Sequence, residues 1–84
     1  MQEINEPISV IFIYNSKKRY AKPYKINWKE KDYIVEEVCI HYFQEKKGIF
    51  HHIYVIKSGN TIMEIIMNSR TLFWEIERIG DLLQ

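Results

Sequence analysis

The chain has one cysteine, two prolines and three glycines among its 84 residues. A lone Cys39 cannot close an intramolecular disulfide, which excludes the stapled scaffolds of small secreted domains and points to a reducing compartment. No cationic stretch followed by an apolar run and a small-residue cleavage site opens the chain, so cytoplasmic residence is expected. Apolar runs are a handful of residues long, whereas a membrane helix needs roughly 20, so no membrane partner is expected. No Gly-rich phosphate loop, nucleophile elbow or dinucleotide fingerprint occurs, and neither a cofactor nor a small-molecule substrate is implied.

Apolar and aromatic side chains are plentiful: 46 % of residues are hydrophobic, with two Trp, six Tyr and four Phe. This composition excludes a disordered segment. The length fits a single domain over residues 1–84, since a typical domain holds roughly 100–150 residues. A chain this short buries only about 60 % of the surface it exposes when unfolded, so its core must be built from large side chains.

Alternation with period two dominates, and it cannot be helical. Ile8 to Tyr14 reads as a first strand and Tyr24 to Trp28 as a second, followed by a tight turn around Lys29 to Lys31. A long third strand, Tyr33 to Phe43, changes phase at Glu36-Glu37, where a β-bulge restores a common buried side. Three further strands follow. The segment ending at Gly48 reads as a three- to four-residue loop, and Ser58-Gly59 or Gly59-Asn60, then Ser69-Arg70, as two-residue loops. These loop lengths place Val38, Ile40, Tyr42, His52, Tyr54, Ile56, Met63, Ile65, Met67, Leu72, Trp74 and Ile76 on one buried side. The expected fold is all-β: five or six antiparallel strands in meander order, curled into a small SH3-like or partly open barrel.

The opposite side carries Cys39, His41, Phe43, His51, Ile53, Val55, Ile62, Ile66 and Phe73, with Glu64, Glu75 and Glu77 among them. An outward side should be mostly polar. Cover by the first strand or by Leu82-Leu83, or by a second protomer, is therefore expected. Ile53, Val55, Ile62, Ile66 and Phe73 form the candidate interface of a homodimer or docking module.

Cys39, His41 and His51 are the one group with ligand-like chemistry, His41 lying across the hairpin from His51. Structural zinc wants four ligands, and a fourth is missing, so no metal is expected. Nucleophilic catalysis by Cys39 lacks a base and a cleft, and no catalytic residue is assigned.

Charge is lopsided. Lys17, Lys18, Arg19, Lys22, Lys25, Lys29 and Lys31 stand against Glu30 alone, a net +6 that leaves −5 for the remainder of a chain whose total is +1. Tyr20, Tyr24 and Trp28 interleave these cations. Small barrels that bind single strands use this pairing, cations for phosphates and rings for bases, so nucleic acid or an acidic protein is the expected partner.

Glu6-Pro7-Ile8-x-Val10, Trp28 with Tyr33-x-Val35-x-x-Val38, Gly48, and Trp74-x-Ile76-x-Arg78-Ile79-x-Asp81 together resemble a family of short bacterial proteins of unknown function. The likeness spans nearly the whole chain. Two departures stand out: a turn of Lys29-Glu30-Lys31 where the family usually has a glycine, and Tyr42 or Phe43 where an aromatic, often Trp, follows the long strand. Trp28, Tyr33 and Trp74 read as structural, because their spacing matches the buried parity. The resemblance implies nucleic-acid metabolism, because some members occur beside a polymerase-like protein of the DNA-damage response. The resulting expectation is a noncatalytic binding module.

Overall fold

The computed structural model describes residues 1–82. Among them are seven strands and no helix: β1 (Gln2–Asn15), β2 (Tyr20–Trp28), β3 (Lys31–Ile34), β4 (Glu37–Lys46), β5 (Ile49–Ser58), β6 (Thr61–Asn68) and β7 (Trp74–Asp81). They form one antiparallel sheet of order β3-β2-β1-β7-β6-β5-β4 that does not close on itself. Two meanders, β1 to β3 and β4 to β7, are joined by β1 lying against β7. β1 serves both, its first half pairing with β7 and its second half with β2.

Seven strands stand where five or six were expected, because the long third strand is two. Val35 N–H donates to the Tyr24 carbonyl of β2 at 2.8 Å, and the next residue, Glu36, donates to the Lys57 carbonyl of β5 at 2.9 Å. The phase change at Glu36-Glu37 therefore marks a change of partner strand, not a bulge within one strand. The bulge lies further on, between Val38 and Ile40, leaving Cys39 as the extra residue.

Turn chemistry sets the registers. Lys29-Glu30 joins β2 to β3 with both residues left-handed, at φ 52° and 62°. Lys47-Gly48 joins β4 to β5 in the same way, at φ 52° and 78°, so this loop has two residues and not three or four. Gly59-Asn60 joins β5 to β6 as expected, with Gly59 at φ 59°. Such left-handed pairs match the right-handed twist of a hairpin. The β6–β7 connection is longer than two residues. Asn68 organises it by accepting the Arg70 and Thr71 N–H groups on its side-chain oxygen, at 2.8 and 3.1 Å.

These registers correct part of the expected buried side. Tyr42 pairs with Ile53 and Phe43 with His52, so Ile40 and Tyr42 leave the core side while His41 and Phe43 join it. Leu72, also expected inside, is exposed in the longer loop at φ 67°. The remainder holds: Met67 faces Trp74 and Ile65 faces Ile76 across β6 and β7. Tyr54, Ile56, Met63, Ile65 and Ile76 pack with Ile26 and Val35 into one core, flanked by Ile8, Val10, Trp28, Val38 and Trp74. Trp28 Nε1–H donates to a Glu6 carboxylate oxygen at 2.9 Å, which satisfies the indole where its ring meets this core.

The first strand lies in the sheet, so it does not cover the opposite side. Leu82 N–H donates to the Asn60 carbonyl at 2.8 Å and prolongs the β6–β7 pairing; Leu83 falls outside the described residues. Ile53 is nevertheless only 1 % exposed and Ile66 is buried. Beside them Glu64 is buried and bonded to Arg78, and an ion pair from Lys46 to Glu77 at 3.9 Å links β4 to β7 across this side.

Candidate functional site

The linear run of cations does not form one patch. Lys17, Lys18 and Arg19 sit in the exposed β1–β2 turn, which Asn15 fixes by accepting the Lys18 N–H on its side chain at 2.9 Å. Lys29 and Lys31 lie at the far end of β2, a separation of roughly 25–30 Å at about 3.3 Å per residue. Several cations are already engaged. Lys25 pairs with Asp32 at 3.6 Å, an aspartate held below its ordinary pKa chiefly by the Asn27 hydrogen bond and then by Lys25. Lys22, Lys29 and Lys31 lie over the rings of Tyr20, Trp28 and Tyr33 at 5.6, 4.9 and 5.1 Å. Tyr24 is exposed next to the irregularity where Phe12 pairs with Pro23.

The candidate interface set is also divided. Ile53 and Ile66 are buried within the chain, Val55 and Ile62 are half-buried, and Phe73 is 77 % exposed. Phe73 overhangs a cleft of about 430 Å³ lined also by Lys46, His51, Ile66, Glu75 and Glu77. Cys39, His41 and His51 are not brought together, since His51 lines this cleft whereas His41 lies on the core side. Among the described residues no group of three or more His, Cys, Asp or Glu is placed to hold a metal ion.

What the fold does assemble is an aromatic cluster at the open edge of the core. The rings of His41 and Tyr54 stack at 4.1 Å with 4° between planes. Phe12 meets Tyr54 edge-on at 6.2 Å and lies 6.0 Å from Trp74, which is 5.7 Å from Tyr54. Phe43 meets His52 edge-on at 5.1 Å. Phe12, His52, Tyr54, Met67, Leu72 and Trp74 line an apolar cleft of about 270 Å³. Phe12 and Phe43 are exposed, the latter at 64 %, so ring surface faces solvent. Centroid distances of roughly 4–7 Å are those at which rings attract beyond simple burial.

Sequence reasoning missed this cluster because it put His41 and Phe43 on the wrong side. The alternation Cys39, His41, Phe43 was visible. A two-residue Lys47-Gly48 turn with the bulge at Cys39 brings that row beside His52 and Tyr54.

His41 Nε2 and His52 Nδ1 lie 3.0 Å apart, so one ring must donate and the other accept. Burial, and then the His52 charge, hold His41 below the ordinary histidine pKa. Burial likewise raises the Tyr54 hydroxyl. The sign follows from proton counting: a depressed folded pKa means the unfolded chain takes up the proton first, near pH 6.5. The stabilisation is complete above about pH 6.5 and is lost as pH falls toward the folded pKa. The melting midpoint of the native chain should therefore drop between pH 7 and pH 5 by more than that of His41→Phe. Parallel profiles for the two proteins would contradict a His41 held neutral by burial.

No family model, no curated protein and no solved structure matches this chain.

Proposed function

We propose that this chain is a noncatalytic module that binds single-stranded nucleic acid on its aromatic side. In this reading the curled sheet is an SH3-like barrel left open along one edge. Bases stack on Phe12, Phe43 and the ring surface between them, and phosphates meet Lys17, Lys18 and Arg19. The observation that carries it is the contiguity of exposed rings on the strand that leads into a cationic turn. Phe12 and Tyr14 project to the same side of β1, and the turn begins just beyond them. Arg70 sits in the loop that carries Leu72. Glu45, at the end of β4, is the carboxylate on that side of the strand. The opposite side, with Glu75 and Glu77, repels phosphate.

Stacked aromatics and backbone-tracking cations together suit single strands, because every base offers a ring face and duplexes do not. The apolar cleft beside Phe12, at about 270 Å³, falls below the roughly 300–1,000 Å³ of a drug-sized pocket.

Fluorescence anisotropy with single-stranded and duplex oligonucleotides across salt concentrations tests the reading. Single strands are expected to bind better, with a log–log salt slope of about −0.7 per phosphate neutralised. Lys17→Ala/Lys18→Ala/Arg19→Ala is expected to weaken binding and shrink that slope by about 2, since three contacts are removed. Lys29→Ala/Lys31→Ala should change little. Salt-insensitive binding, or none to single strands, overturns the proposal.

A further inference from the structure

The two edges of the sheet are unlike. β3 is four residues long and carries Lys31 and Asp32, the short and charged form that blunts an edge. β4 is ten residues long and among the described residues pairs with β5 alone, so every second N–H and C=O along its outer margin has no strand partner among them. From Val38 to Gln44 it has no side chain charged at neutral pH, no proline and no glycine. Ile40 is 53 % exposed, and Tyr42 and Phe43 are exposed on opposite sides of the strand. The bulge at Cys39 perturbs only its beginning. Such an edge is a template for another strand.

The geometry points to a second copy of this chain as that strand, in antiparallel β4–β4′ pairing across a two-fold axis at Tyr42. A two-fold axis perpendicular to the sheet preserves its sides, so each residue must meet one of the same side. Centred on Tyr42, and with Cys39 as the extra residue, the pairing sets His41 against Phe43′, Ile40 against Gln44′ and Val38 against Glu45′. It also brings Glu37 opposite Lys46′, and symmetry repeats that contact. Centring on His41 instead sets Glu37 against Gln44′ and leaves Lys46′ beyond the start of the partner strand, so the opposite-charge contact is lost. The ends of β4 are thus complementary to themselves, as an isologous interface requires. A foreign peptide has no reason to match both ends. This interface is distinct from the Ile53 and Phe73 side, and it stands without the nucleic-acid reading.

Sedimentation equilibrium of the native chain is expected to give twice the 10.3 kDa chain mass. Tyr42→Lys places two ammonium groups opposite each other and should halve that mass. Mixing it with Tyr42→Glu should restore the dimer, because only the mixed pair then carries opposite charges. Should Tyr42→Lys fail to fold, Tyr42→Cys in a Cys39→Ser background gives the second reading: mild oxidation should yield a disulfide-linked dimer through residue 42. A native monomer at all concentrations, a dimer indifferent to Tyr42→Lys, or a Tyr42→Cys/Cys39→Ser variant that does not cross-link overturns the inference.

Discussion

Ile65→Ala is expected to remove a large share of the folding free energy, whereas Phe73→Ala, eight residues on, is expected to leave it nearly unchanged. Ile65 has no exposed surface, faces Tyr54 on β5 and Ile76 on β7, and belongs to the single core. Truncating a buried isoleucine costs about 2–5 kcal/mol, part lost transfer energy and part the cavity left behind. At roughly 0.05–0.15 kcal/mol per residue, a chain of this size has about 4–13 kcal/mol in all. The urea midpoint of Ile65→Ala should therefore fall by about a sixth or more, or the chain should not fold at 37 °C. Phe73 projects from the other side into solvent, and exposed substitutions fall within about 0.5 kcal/mol. Equal losses in the two variants would contradict the assignment of sides.

That assignment was legible wherever every candidate turn gives the same parity, as Ser58-Gly59 and Gly59-Asn60 do. Gly59-Asn60 allows two-residue closure with glycine at its left-handed position, so Tyr54, Ile56, Met63 and Ile65 fall into phase from residue identity alone. Ile76 follows through a loop whose real length, although greater than expected, preserves the same parity. The β4–β5 hairpin was not legible. Gly48 is compatible with a two-residue turn and with longer ones, and those choices put opposite sides of β4 inward. A bulge at Cys39 has no composition signal, since bulges answer to the twist of neighbouring strands. Both departures concern the row His41 and Phe43, which is why the aromatic cluster escaped a reading that put those two rings on the far side. The charge run failed for another reason: residues close in sequence along an extended strand are far apart in space. Lys17 and Lys31 share a segment but not a surface.

The second large effect concerns that cluster. Phe12→Ala/Phe43→Ala is expected to lower single-strand affinity by about thirtyfold to twenty-thousandfold, because each of the two base–ring stacks is worth about 1–3 kcal/mol. Phe43 is mostly exposed, whereas Phe12 packs on Tyr54 and Trp74, so Phe43→Ala alone should lose affinity at an unchanged melting midpoint and the added Phe12→Ala should also lower the midpoint. The double variant should keep its salt slope, since the rings contact no phosphate. The Lys17, Lys18 and Arg19 variant should do the opposite, shrinking the slope while leaving the stacking contribution intact. Two kinds of substitution that fail in two different ways separate the parts of the site. Affinity unchanged by the loss of both rings would leave the cations without the platform that the proposal gives them.

Amide and indole shifts of the isotopically labelled chain, followed during titration with a single-stranded oligonucleotide at low salt, test the central claim most directly. Changes are expected at Phe12, His41, Phe43, the Trp74 indole and residues 17–19, with the Trp28 indole held to Glu6 and silent. Changes confined to Lys29–Lys31 or to the Glu75 and Glu77 cleft, or none at all, would contradict it.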